Sequence, residues 1–285
     1  MKIDGLFERI GFHRNDTVGL ALSGGGARGF SHVGVMVALE EFGITPTVIS
    51  GVSSGSIAGV LYGAGLTPAE IRECFHAMSF LDFSALAIPK AGFFKLNKFA
   101  KLLDSWLPVK NLEELKIPTV VCATNIDKGT QVAWSKGEIV PRVLASCSIP
   151  IIFKPVRING VHFVDGGVLH NLPSWAIRDY CKTLIGSNCS PLDNSYKYKD
   201  SVIDIAMRTM SLVMKSNVLQ DVKLCDYVII PDDISKNKAF DIKMIDHNMK
   251  CGYEAAVRVL EKSALNADNH KSVFPTFASF SSMFK

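Results

Sequence analysis

Short apolar runs of strand length alternate with longer stretches of helical periodicity along most of the chain. The first run is Val18-Gly19-Leu20-Ala21-Leu22, and it ends in Ser23-Gly24-Gly25-Gly26-Ala27-Arg28-Gly29. A helical pattern follows, with Val33, Val35, Met36, Val37 and Leu39, and closes at Gly43. Gly43 is a natural C-cap, and Pro46 prevents continuation. A strand from Thr47 to Ser50 then leads into a helix from Ser54 to Ala64. Strand, helix and strand in such close succession make one βαβ unit, which requires a parallel pair and a right-handed crossover.

The alternation continues. Thr67, Pro68 and Glu70 carry the signature of a capping box with proline at the first helical position. A helix is expected from Asn97 to Trp106, strands at Pro118–Ala123 and Gln131–Trp134, and a helix from about Val140 to Cys147. Ser148 to Val156 is too rich in proline for a helix. Asn159-Gly160 signals a hairpin before a short strand, Val161 to Val164. Beyond it come a helix from Pro173, a buried strand Thr183–Gly186 and a polar loop from Asn188 to Asp200. A long helix Val202–Val222, a strand Tyr227–Ile230 and a helix from Ile245 to Ser263 complete the pattern, and residues 1–16 read as a polar lead-in. This order predicts a three-layer α/β/α fold with a mostly parallel central sheet. No linker interrupts it, so residues 1–285 read as one domain, with a motif-bearing core at about 17–187 and a helical C-terminal part at about 200–285.

Composition narrows the classes. Hydrophobic residues make up 48% and charged residues 20% of 285, enough for a large core and contrary to disorder. A net charge of +4, with Lys and Arg scattered, does not suggest a nucleic-acid binder. Seven cysteines, an odd number without any C-x-x-C, argue against a metal site or a disulfide framework and fit reduced thiols in the cytoplasm. The first residues include acidic side chains and no long apolar stretch, so no secretory signal is read there, and no run of 18 apolar residues spans a membrane.

The chemistry starts at Gly51-Val52-Ser53-Ser54-Gly55, a G-x-S-x-G pattern between a strand and a helix. In that context the pattern marks a nucleophile elbow, with Ser53 at a strained apex at the helix N-terminus. Taken alone it is weak, and a Ser/Gly-rich loop without chemistry fits as well. The Gly24–Gly29 loop allows several readings. A dinucleotide site would need an acidic residue where the second strand ends, and Ile49-Ser50-Gly51 stands there. A P-loop would need G-K-[ST], which is missing. A structural glycine loop fits too. The favoured reading is an oxyanion hole, because a βαβ unit brings the C-terminal ends of both strands to one sheet edge and so sets the loop beside Ser53. Arg28 could bind a substrate phosphate or brace the loop. Asp165-Gly166-Gly167 ends a further strand. A carboxylate there suits a general base whose pKa is raised by partial desolvation, although taken by itself it reads more readily as a turn aspartate serving local backbone donors.

Together the three motifs resemble the patatin-like phospholipase family, which carries a glycine-rich loop with arginine, a G-x-S-x-G serine and a D-G-[GA] aspartate in that order. Ser148 to Val156 and Asn171-x-Pro173 also look like the family's surroundings of the aspartate. Plant members often begin the glycine loop with Asp, where this chain has Ser23. The resemblance runs from about Val18 to Pro173 and implies calcium-independent hydrolysis of phospholipid or lysophospholipid acyl esters by a Ser–Asp dyad. Carried over, Ser53 is the nucleophile and Asp165 the base. Gly24, Gly25, Gly26, Ala27, Arg28 and Gly29 form the oxyanion hole, Gly51 and Gly55 flank the elbow, and Gly166 and Gly167 follow the base. No metal and no cofactor are implied. An acyltransferase on the same site, and a non-catalytic lipid- or nucleotide-binding regulator, remain alternatives. His32, His170, His247 and His270 read as structural or surface residues, so no histidine is expected to be essential. Residues 79–100 and Phe277, Phe280 and Phe284 are candidates for peripheral membrane contact, with packing on the core or a homo-oligomer contact as the plainer reading.

Overall fold

The computed structural model describes residues 17–78, 89–198, 200–232, 234–237 and 242–263. The expected polar lead-in, the first ten residues (79–88) of the aromatic and lysine-bearing stretch 79–100, and the Phe277–Phe284 pattern lie outside them.

Eight strands form one sheet: β1 (Val18–Leu22), β2 (Val48–Val52), β3 (Thr119–Asn125), β4 (Thr130–Trp134), β5 (Val156–Ile158), β6 (Val161–Asp165), β7 (Thr183–Ser187) and β8 (Tyr227–Ile229). The centre is parallel in the order β3-β2-β1-β7-β8, while β4, β5 and β6 are antiparallel to their neighbours. The sheet is therefore mixed, with the parallel centre that the alternation predicts. The helices are α1 (Ser31–Glu41), α2 (Ser54–Gly63), α3 (Pro68–Met78), α4 (Pro89–Trp106), α5 (Ile139–Ser146), α6 (Ser174–Ile177), α7 (Val202–Val222) and α8 (Ile245–Glu261). α4 starts eight residues before the expected Asn97, at a proline suited to a first helical turn.

Strand alternation puts the core on both faces. Leu20, Leu22, Ile49, Val121 and Ile185 join one buried cluster with residues of α1, α2, α3 and α8. Ala21, Val52, Val120, Cys122 and Leu184 join another with α6 and Val218 of α7. Each fully buried aliphatic side chain contributes about 1.5–3 kcal/mol, so this two-sided core is the main source of stability. Local signals hold where their chemistry is complete. The Thr67 amide donates to Glu70 Oε2 at 2.8 Å, and the Glu70 amide donates to Thr67 Oγ1 at 3.3 Å. Asn159 and Gly160 both have positive φ (49° and 85°), as a two-residue turn between β5 and β6 demands.

Two features of the topology position the site. β4 occupies one edge of β3 over Val121–Asn125. β2 pairs Ile49–Val52 with Thr119–Cys122, and β6 pairs Phe163–Asp165 with Ala123–Asn125. Because β4 fills one edge, β2 and β6 must share the other, end to end. β2 finishes opposite Cys122 and β6 finishes opposite Ala123. The residues that end these strands, Val52 before Ser53 and Asp165 itself, thus meet across consecutive residues of β3. Second, α8 packs directly on α1. A Cβ on Gly34 would strike the Met249 carbonyl, and one on Gly252 would strike the Ser31 carbonyl. This close approach lets the buried Asn248 side chain donate to the Ala27 carbonyl at 3.0 Å and so hold the glycine loop from behind.

Candidate active site

Ser53 has φ 52° and ψ −124°. A non-glycine residue pays about 1–3 kcal/mol for such a backbone, which persists only when the surroundings dictate it. Here they do. The Ser53 amide donates to Ser146 Oγ at 2.8 Å, and the Ser146 hydroxyl donates to the Cys122 carbonyl at 2.6 Å. The Ser53 carbonyl accepts from the Ser56 amide at 2.9 Å and from its hydroxyl at 2.7 Å. The flanking glycines give the turn its room. A Cβ on Gly51 would meet the Gly55 backbone, and one on Gly55 would meet the end of β1.

Asp165 closes β6 and caps a short 3-10 turn, Gly166–Val168. Its Oδ1 accepts the Gly167 amide at 2.8 Å, while Oδ2 is buried without a hydrogen-bond partner. Burial pushes the carboxyl pKa up to about 6, and the Gly167 amide and the nearby Ser53 hydroxyl pull in the other direction. Gly166 lies against the Cys122 carbonyl, where a Cβ would come within 2.8 Å.

A cavity of about 110 Å³ opens on both residues. Gly25, Gly26 and Arg28 form one wall, Ser190 to Asp193 the rim, and Met207, Met210 and Met214 of α7 another wall. The six loop residues thus divide. Gly25 is the N-cap and Gly26 the first residue of the 3-10 turn Gly26–Phe30, where first-turn amides have no acceptor within the helix. The Gly24 amide instead donates to the Asn171 carbonyl at 3.1 Å. Ala27 is buried, and Gly29 lies against Ser54. Gly24, Ala27 and Gly29 therefore shape the loop and do not line the cavity. Arg28 does both: its Nη1 donates to the Pro191 carbonyl at 3.5 Å, and its Nε is buried without a partner.

Several supporting residues carry no local sequence signal of the partner they bind. Asn171 is fully buried and its side-chain amide donates to the Gly24 carbonyl at 3.2 Å. His32 is also fully buried, with Nε2 2.9 Å from the Ser23 carbonyl and Nδ1 2.8 Å from Ser187 Oγ. A carbonyl only accepts, so Nε2 carries the proton and Nδ1 accepts from the hydroxyl. Burial lowers the His32 pKa to about 4, which keeps the ring neutral. The stability this gives is full above pH 6.5 and declines as pH falls towards 4. His32→Ala is expected to cost about 3 kcal/mol, because it leaves a cavity and two unpaired buried groups. Turnover is expected to fall only about tenfold, since a loosened loop is not a lost proton acceptor. Thermal unfolding and steady-state rates check this. A loss as deep as that of an Asp165 variant would place a histidine in the chemistry. His170 sits 2.8 Å from Asp221 Oδ1 and is not among the cavity residues.

Among the described residues no group of three or more His, Cys, Asp or Glu is placed to hold a metal ion. None of their helices is long and apolar enough to cross a membrane.

A mixed sheet with helices on both faces defines an α/β protein, and a serine at a strained strand-to-helix turn shares one cavity with a buried carboxylate. The family model for patatin-like phospholipase matches residues 20–176, more than half of the chain, and the chain belongs to that family. An uncharacterized NTE family protein of Mycobacterium tuberculosis is 32% identical over 158 residues, 55% of this chain and 44% of the relative. A Candida albicans protein named lysophospholipase NTE1 is 32% identical over 165 residues, 56% of this chain and 12% of the relative. The chain thus spans less than half the length of these relatives. The crystal structure of VipD from Legionella pneumophila superposes with a TM-score of 0.52 over 86% of this chain and 67% of that one. At 18% identity that likeness concerns the fold alone.

Proposed function

We propose that the protein is a serine esterase that hydrolyses acyl esters of lysophospholipids or phospholipids. The observation that carries this reading is the buried, unpartnered Oδ2 of Asp165 in the same cavity as Ser53. A buried carboxylate with one oxygen unpartnered is costly to ionise, and a carboxyl with a pKa near 6 is a base suited to neutral pH. In the proposed route Asp165 takes the Ser53 proton as Oγ attacks the ester carbonyl. The amides of Gly25 and Gly26 receive the developing oxyanion. Asp165 then passes the proton to the leaving alcohol, and an acyl ester on Ser53 remains. Asp165 next deprotonates a water that attacks this ester, and collapse returns the proton to Ser53 and frees the fatty acid. Every proton in this route has a donor and an acceptor among these groups, and the Gly25 and Gly26 amides take the charge-stabilising role that a calcium ion would otherwise fill, so turnover is expected without calcium. The family and the Candida lysophospholipase relative support a lipid ester as substrate.

Release of fatty acid from a 1-acyl lysophospholipid tests the reading. Release is expected in excess chelator, with kcat/KM rising through an apparent pKa of about 6 to a plateau, because the base must be ionised. Ser53→Ala is expected to lose the activity. Equal release by wild type and Ser53→Ala would refute the proposal.

A further inference from the structure

Arg28 is an expensive residue where it stands. Compare Arg178, whose guanidinium donates to the carbonyls of Leu224, Cys181 and Lys182 at 3.0, 2.9 and 2.7 Å and to Asp226 Oδ2 at 2.7 Å. That is what a bracing arginine looks like. Arg28 makes one bond, to the Pro191 carbonyl at 3.5 Å, and leaves Nε buried and unpaired. Burial accordingly lowers its pKa. A second guanidinium lines the same cavity, that of Arg208 on α7. It donates to the Asp193 carbonyl at 3.0 Å and lies 4.6 Å from the centre of the Tyr196 ring, which fixes its plane. One carboxylate, Asp193, stands at this end of the cavity. Its Oδ1 is already taken by the amide and hydroxyl of Ser195, at 2.8 and 2.6 Å. Two guanidinium groups therefore share the charge of one carboxylate, which leaves an excess of positive charge at this end. On the same helix as Arg208, Met207, Met210 and Met214 line the cavity with apolar side chains that suit an acyl chain, and Ser53 and Asp165 line it as well.

We infer that Arg28 and Arg208 form a subsite for the phosphate ester of the substrate headgroup, in the cavity that the methionines of α7 also line. Planar guanidinium forks match tetrahedral phosphate oxygens, and a phosphate would supply the partner that Arg28 Nε lacks. Because Arg28 sits next to the Gly25 and Gly26 amides, binding the headgroup also places the ester by the serine. The inference rests on the esterase reading for its substrate, and it names the part of the lipid that is recognised.

Two measurements on the full chain separate the inference from that reading. Calorimetry with sn-glycerol 3-phosphate and with inorganic phosphate reports the subsite without hydrolysis. The kcat/KM ratio between a lysophosphatidylglycerol and the monoacylglycerol of equal chain length reports its use. Glycerol 3-phosphate is expected to bind wild type and to bind Arg28→Gln and Arg208→Gln at least tenfold more weakly. The substrate ratio is expected to fall at least tenfold in Arg208→Gln and to recover in part in Arg208→Lys. Should Arg28→Gln fail to fold, Arg208→Gln on the partly exposed α7 carries the test. Undiminished glycerol 3-phosphate binding by Arg208→Gln would overturn the inference. So would weakened phosphate binding with an unchanged substrate ratio, which would describe a site for free phosphate. Arginine-dependent glycerol 3-phosphate binding in a protein that hydrolyses no ester would keep the subsite and remove the esterase.

Discussion

Asp165→Asn is expected to lower turnover by about three orders of magnitude and at the same time to make the protein more stable. The two effects have one cause. Asparagine keeps an oxygen for the Gly167 amide, now 2.8 Å from Oδ1, but cannot accept the Ser53 proton. The carboxyl is buried, and its pKa rises from 3.8 to about 6. Folding therefore favours the protonated form, and ionisation costs stability. The sign follows from proton uptake. Between pH 3.8 and about 6 the folded chain binds more protons than the unfolded one, so wild type loses stability as pH rises through that window. Above it the penalty is complete, about 3 kcal/mol at 1.36 kcal/mol per pKa unit. The amide never ionises. The gap in melting temperature between variant and wild type should open from about pH 4 and level off above about pH 6. Thermal unfolding across that range checks it. A variant as inactive as expected but no more stable at pH 7 would mean that the carboxylate is not strained by burial.

Gly55→Ala is expected to be the most damaging single-methyl change at the elbow. Its Cβ would collide with the Leu22 carbonyl and lie 2.6 Å from its carbon and 2.7 Å from the Ser23 oxygen. All three are backbone atoms at the end of β1, so no rotamer relieves them. Relief requires α2 to move off the sheet, at a cost of more than about 3 kcal/mol and roughly 6–12 °C in melting temperature. Gly59→Ala in the same helix is the control. Its nearest contact would be a side-chain methyl, Ile49 Cγ2 at 3.2 Å, with no backbone atom that close, and alanine is the better helix former by up to about 1 kcal/mol. Equal melting temperatures for the two variants would contradict the close approach between α2 and β1.

How far the site can be read from the chain depends on whether a partner is near in sequence. The elbow, the glycine loop, the capping box and the Asn159-Gly160 turn are contiguous, and each declares its conformation through a few adjacent residues. The pairing that brings Ser53 to Asp165 is not local. It depends on β3 offering successive residues, Cys122 and Ala123, to two strands on one edge, and no periodicity encodes a register. The same holds for the supports. Ser146, Asn171 and His32 bond partners 93, 147 and 155 residues away; Ser146 and His32 look like ordinary polar residues in their own neighbourhoods, and the Asn171-x-Pro173 motif marks Asn171 without naming its partner. α7 was legible as a helix, yet its apolar residues run around most of its circumference. Val202, Leu212 and Leu219 are exposed while Met207, Met210 and Met214 line the cavity, so the pattern alone could not say which side faces the serine. The glycine loop taught the reverse lesson. Read as one oxyanion unit, it splits into Gly25 and Gly26 beside the cavity and Gly24, Ala27 and Gly29 in supporting contacts, because the 3-10 turn faces successive residues in different directions.

The central claim is that Ser53 is a nucleophile activated by Asp165 alone. The most direct measurement is the intact mass of the protein after exposure to a fluorophosphonate, with the labelled peptide mapped. A single adduct on Ser53 is expected in wild type and in His32→Ala, and none in Asp165→Asn. An adduct that persists undiminished in Asp165→Asn, or that maps to another residue, would contradict the account.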